Sequence, residues 1–268
     1  RQQDARLGRF WSVDPLGYKY PAISPYVCAA NNPVYYIDPD GRQLVVHNTS
    51  QQAIILGYLR EQIGGDIFRF SRRGVLKLDK GAYRAIRERL TPQQAEIVAG
   101  LLEVIRSERM IEVRIYPNDD VNFSWNPLTV EYVYDEKLHR EVRRLTPMFK
   151  GGKGIVIPKL ENPAVTIAYE GADRVMILIN RDRAQKATFK AKGGGETQPC
   201  ESCIFIHEVL DHGLDYVRGM DMAEEPPGTT PEQSVEFHNK ALRNVGSVER
   251  SGEDHSLDNI GSMEETKR

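Results

Sequence analysis

The chain has 268 residues, 40% of them hydrophobic and 28% charged, which suits a globular protein of one large domain, or one domain plus a smaller module. A formal net charge of −2 excludes a global basic field that would draw it to nucleic acid or an anionic membrane surface. No apolar run reaches the roughly 18 residues of a membrane span, and three cysteines are too few for a disulfide framework, fitting synthesis in reducing conditions. No signal-peptide pattern opens the chain, and because it starts at Arg1 rather than Met it reads as part of something longer.

Residues 1–43 are dense in Asp-Pro, Asn-Pro, Gly and Tyr, as in GRFWSVDPLG and SPYVCAANNPVYYIDPDG. Pro restricts itself and its predecessor while Gly accepts positive φ, so short extended pieces joined by turns are expected, leaning on a larger neighbour. The order GRF-x-S-x-DPL, PY-x-x-A-x-NNP, DP-x-G resembles the end of the RHS-repeat-associated core domain of bacterial polymorphic toxins. The resemblance implies that a variable toxin domain follows Gly41, and that the remainder of an RHS shell and delivery into a target cell belong to the protein's setting. In some members the core cuts itself free of the toxin with an Asp from each of two DP-x-G motifs, which would here be Asp14 and Asp38. Two departures stand out. The first family motif, usually DP-x-x-G, reads Asp4-Ala5-Arg6-Leu7-Gly8, and Arg42-Gln43 follows the final DP-x-G where Leu is usual. The competing reading of Asp14 and Asp38 is simple turn formation.

From Leu44 the pattern turns α+β. Residues 50–62 read as a helix capped by Ser50, and 68–79 alternate about Arg72-Arg73-Gly74 as a hairpin. Residues 82–90 suit a short helix, and 91–108 a longer one with Thr91 as cap and Pro92 at its first position. Arg140, Arg143 and Arg144 have the spacing of a solvated helix face. Strands are expected near 111–116, 130–134, 154–157, 164–169 and 174–180. Arg181–Pro199, with Gly193-Gly194-Gly195, reads as an aperiodic, mobile loop. Gly151-Gly152-Lys153-Gly154 lacks the ending of a phosphate loop, and no G-x-S-x-G marks a nucleophile elbow. A helix is expected over 231–244. The organisation predicted is thus an RHS-core remnant over 1–43, an α+β domain over 44–245, and a disordered tail over 246–268.

The segment CIFIHEVLDHGLDYVRG is apolar enough to sit in a core, and Gly219 is placed to end it as a helix. Two His and an acidic residue on such a helix need a reason, because unpaired buried polar groups are costly. Zn²⁺ supplies one: His207 and His212 as neutral imidazole ligands, with Glu208 to activate water. The common zincin order H-E-x-x-H sets its two His within about 40° on one face, whereas H-E-V-L-D-H sets them about 140° apart on a regular helix. A one-residue π-bulge would restore convergence.

HEVLDHG resembles the H-E-L-L-G-H-G signature of the dipeptidyl-peptidase III family, and the H-E-L-Y-G-H-A segment of predicted peptidase toxins attached to RHS proteins. Both carry Gly where this chain has Asp211. The resemblance implies a zincin-like domain, with a mixed or antiparallel sheet and an active-site helix, acting as a zinc metallopeptidase. That family's third ligand is the first Glu of E-x-x-A-E, which here matches Glu232 in Glu232-Gln-Ser-Val-Glu236. The same residues also read as a helix start, with Thr230 as cap and Pro231 at the first position. Glu236 and His238 are the other third-ligand candidates. Asp211 is either a lesser ligand or a partner that orients an imidazole. Tyr216 and His255 carry no assigned role.

Cys200 and Cys203 admit three readings: two ordinary thiols, a reversible disulfide, or half of a structural zinc site with His207. The leading expectation is a peptide hydrolase acting on a protein in a target cell, with an immunity protein as a further partner. The rival is a non-enzymatic binding domain with an empty or structural metal site.

Overall fold

The computed structural model separates into two units, Arg1–Gly41 and Arg42–Arg268. The structure describes residues 3–4, 9–10, 43–107, 109–116, 123–126, 128–135, 140–147, 155–157, 162–167, 174–219, 230–231 and 233–253. In the first unit, β1 (Gln3–Asp4) pairs antiparallel with β2 (Arg9–Phe10). Asp14 and Asp38 lie outside the described residues.

The second unit opens with β3 (Gln43–Val45) and α1 (Thr49–Ile63). Asn48, not Ser50, caps α1, its side chain accepting from the backbone N–H of Ser50 and Gln51. The hairpin β4 (Phe68–Phe70) and β5 (Leu76–Leu78) turns through Gly74 at φ 77°, with a short helix α2 (Lys80–Ile86) after it. α3 (Pro92–Arg106) begins in the reciprocal capping box of Thr91 and Gln94.

The strands β6 (Met110–Tyr116), β7 (Phe123–Trp125), β8 (Leu128–Asp135), β9 (Arg140–Pro147), β10 (Ile155–Ile157), β11 (Ala164–Ile167) and β12 (Arg174–Asn180) follow. Four strands form one sheet in the order β11-β12-β6-β3, with β3, β6 and β12 parallel and β11 antiparallel at the edge. The fold is α+β with a mixed sheet. β8 and β9 pair antiparallel, with Arg144 opposite Glu131 and Arg140 opposite Asp135. Arg140, Arg143 and Arg144 therefore lie on a strand rather than a helix face; ladder pairing outweighs their helical spacing.

On β6 the side chains alternate as a strand requires. Ile111, Val113 and Ile115 are buried in the core with Ile177 of β12 and with Leu101 of α3. Glu112 points to the opposite face, where it is 2% exposed and meets Arg114 at 2.7 Å and Arg174 at 2.9 Å. Burial works against its charge, but the two guanidinium groups outweigh burial and hold its carboxyl below the usual range. A depressed folded-state pKa contributes stability that is present above the unfolded value and lost as pH falls through the folded one. Glu112→Gln is therefore expected to lower the thermal midpoint at neutral pH and to flatten the acid arm of the stability profile below about pH 4.5. Thermal melts at stepped pH check this, and parallel acid arms in both proteins would contradict it.

The stretch expected as a mobile loop carries structure. α4 (Arg181–Lys186) is capped by Asn180, and β13 (Phe189–Lys190) pairs with β14 (Glu196–Thr197) across the three positive-φ glycines 193–195. Local capping and a glycine turn replace the hydrophobic periodicity that these residues lack. The expected disordered tail also begins with a packed segment. Lys192 N donates to Glu249 O at 2.7 Å, Ser251 N donates to Lys190 O at 2.8 Å, and Arg250 is 2% exposed. Backbone pairing with β13 orders residues that have little apolar surface of their own.

Candidate metal centre

α5 (Glu201–His207), a π-helical turn over Glu208–His212 and α6 (Gly213–Arg218) form one continuous element, buried through Leu210 and ended by Gly219 at φ 79°. The widening that the H-E-x-x-x-H spacing requires is present. Gly213 N donates to the Glu208 carbonyl, the i→i+5 bond of a π-turn. The ring centroids of His207 and His212 consequently lie 4.7 Å apart with planes at 74°. Packing on both sides holds the wide turn. A Cβ at Gly213 would lie 2.8 Å from Ile111 Cδ1, so the bare glycine lets the helix rest on β6, while Leu210 fills the space over Gly100 of α3.

Asp211 ties three parts of the site together. Its Oδ2 accepts from His207 Nδ1 at 2.8 Å, and its two oxygens accept from the backbone N–H of Phe237 and His238 at 2.9 and 3.0 Å. Those two residues stand in the first turn of α7 (Glu236–Asn244), which follows a 3₁₀ turn at Gln233–Val235. Burial pushes the Asp211 carboxyl well up, opposed by the two N–H donors. When Asp211 accepts from Nδ1–H, the tautomer is the one whose Nε2 carries the lone pair that a metal would use. The carboxylate is spent on these donors, so the arrangement favours orientation of His207 over direct ligation.

Glu208 is 6% exposed and accepts from Thr166 Oγ1 of β11 at 2.6 Å. Burial pushes its carboxyl up to about 7, against the Thr166 hydrogen bond and the positive charge of Arg250. A carboxylate poised there exchanges a proton readily near neutral pH. His207, Glu208 and His212 offer ligand atoms that all lie within 4.8 Å of one another. Tetrahedral zinc, with bonds of about 2.0–2.2 Å, takes donors roughly 3.5 Å apart, so two imidazoles with a carboxylate this close suit such an ion by chemistry and by spacing.

Behind the histidines sits a wall that sequence reasoning largely missed. The His238 ring lies 5.1 Å from that of His207, and His238 Nδ1 is 3.3 Å from Arg250 Nη1. The Arg250 guanidinium stacks 3.9 Å over Phe189, and its backbone exchanges two hydrogen bonds with the Asn239 side chain. Nothing in the polar run around Arg250 marks it as buried, and Thr166 is one hydroxyl in an apolar strand. The sequence offers His238 only as an alternative ligand.

Glu232 lies outside the described residues. The capping pair beside it is present, with Thr230 and Gln233 bonded reciprocally at 2.8 and 3.3 Å. Glu236 is largely exposed and paired with Lys240 at 2.6 Å. Tyr216 uses its carbonyl to accept from Arg109 Nη1 at 2.7 Å. Cys200 and Cys203 form a disulfide, so neither is an ordinary thiol or a thiolate ligand of a structural zinc. Among the described residues, the one group of three or more His, Cys, Asp or Glu placed to hold a metal is His207, Glu208 and His212. Comparison of the chain with protein-family models, curated proteins and solved structures finds no match.

Proposed function

We propose that the second unit is a zinc-dependent peptide hydrolase and the toxin payload of an RHS-repeat protein. The observation that carries this reading is the π-turn, which brings the His207 and His212 rings to 4.7 Å and sets buried Glu208 beside them. A helix bears the cost of such a bulge where function needs it. His207 and His212 hold the ion, and Glu232 is the third ligand by its match to the E-x-x-A-E pattern. The helix that follows Glu232 is already bonded to the π-turn through Asp211.

Bound Zn²⁺ supplies Lewis acidity, polarising a carbonyl and making water acidic near pH 7. The chain's own groups do the rest. Glu208 takes the proton of the attacking water and passes it to the leaving amine, while Thr166 fixes the carboxylate's orientation. Asp211 holds the His207 ring. The substrate is a protein or peptide in a target cell, and an immunity protein would restrain the enzyme where it is made.

The purified chain is expected to carry one zinc per molecule, removable by chelator. Peptide hydrolysis should stop on its removal and return with added zinc. Metal analysis beside a peptide-library digest reads both, and hydrolysis indifferent to the chelator would refute the proposal.

A further inference from the structure

Outside the metal centre, the chemistry-bearing pair left unused is Cys200–Cys203. The two are joined as a disulfide at the start of the helix that carries His207. Their surroundings differ sharply. Cys203 is fully buried, whereas Cys200 stands at the N-cap and is partly exposed. Donors converge on the outer sulfur: Cys203 N–H at 3.1 Å, Ser202 Oγ at 3.0 Å and Gln62 Nε2 at 3.6 Å approach Cys200 Sγ. A helix N-terminus and N–H donors favour a thiolate over a thiol. The inner sulfur meets Gln62 Nε2 at 3.7 Å, and Gln62 is itself fully buried on α1. One reachable sulfur with a stabilised anion beside one shielded sulfur is the division of labour that thiol–disulfide exchange needs.

We propose that Cys200–Cys203 is a reversible thiol–disulfide exchange site for low-molecular-weight thiols, and that its opening frees the first turn of the metal-bearing helix. An external thiolate attacks Cys200 Sγ, the Cys200–Cys203 bond breaks, and Cys203 leaves as a thiolate that takes up a proton. A second external thiolate attacks the outer sulfur of the mixed disulfide, releasing Cys200 as its thiolate and an external disulfide. Two thiols thus supply the two electrons and two protons that convert the protein disulfide to a dithiol. In reverse, Cys200 attacks an external disulfide and Cys203 resolves the product.

The consequence reaches the metal centre by geometry. Cys203 precedes His207 by one helical turn on the same face, and the disulfide closes the four residues at the helix start. The link to zinc rests on the proposed function; the exchange chemistry does not.

The test uses the full chain with Cys28→Ser, equilibrated in glutathione mixtures from mostly oxidised to mostly reduced, then alkylated and weighed by mass spectrometry. The disulfide is expected to open and re-form under native conditions. Cys203→Ser should accumulate a glutathione adduct at Cys200, while Cys200→Ser should leave Cys203 at least tenfold slower to react. Amide exchange over 201–207 should be several-fold faster in the reduced protein, with faster zinc loss to a chelator. A bond that opens only on denaturation, equal reactivity of the two sulfurs, or unchanged exchange over 201–207 would overturn the proposal. A protein that shows the thiol chemistry and the exchange difference yet binds no zinc would refute the metal reading and leave this one standing.

Discussion

Glu208→Gln is expected to reduce peptide hydrolysis by about 10²–10⁴-fold while the protein keeps its zinc and its fold, because general-base transfer contributes on that scale. The substitution preserves shape, and the amide oxygen still accepts from Thr166 Oγ1. Removing a charge whose burial already pushes its pKa up to about 7 relieves desolvation, so stability should hold or rise. Initial rates with zinc analysis on the same samples check both halves. Activity within a few-fold of the parent would remove Glu208 from the mechanism; joint loss of zinc and activity would recast it as a ligand.

Asp211→Ala should have the second large effect, and on two readouts. It strips acceptors from His207 Nδ1 and from the backbone N–H of Phe237 and His238, in a largely buried part of the site. Unsatisfied buried donors cost about 1–3 kcal/mol each, so a loss of roughly 3 kcal/mol of stability is expected. Zinc affinity should fall by about 10–100-fold, the usual effect of removing a partner that orients a ligand histidine. Asp211→Asn keeps one acceptor oxygen, so it should recover much of the stability and less of the affinity. Denaturation curves and competitive zinc titrations separate the two. Undiminished zinc affinity in both variants would show that Asp211 serves the fold alone.

The candidate site was legible because its spacing conflicted with a regular helix. Two histidines five residues apart on an apolar segment require a wide turn if they are to meet, and the π-turn at Glu208–His212 has that form. Asp211 stands out by its position four residues after His207, although its bonds to α7 are not foreseeable from one segment. Thr166 and Arg250 were illegible for a related reason: each reaches the site through tertiary contacts, from an edge strand and a polar run.

In the fold, strong local signals held. Thr91 and Pro92 start α3, and the apolar runs of β11 and β12 are strands at the edge and in the interior of the sheet. Weak ones failed where pairing supplied the order. β9 carries basic residues at helical spacing but is held by its ladder with β8. Residues 181–199 and 246–253 lack periodicity, yet β13 binds the latter segment through main-chain hydrogen bonds. Backbone pairing of that kind leaves little trace in side-chain pattern.

The proposed enzyme requires that His207 and His212 share one ion across a widened helix turn. A crystal of the zinc-loaded chain, with anomalous data collected on both sides of the zinc edge, would locate that ion. A single peak is expected about 2.0–2.1 Å from a ring nitrogen of each histidine, with a carboxylate oxygen of Glu232 completing the protein ligands and Glu208 beside the open position. A regular helix with His212 turned away, or a peak bound elsewhere with none between His207 and His212, would contradict it.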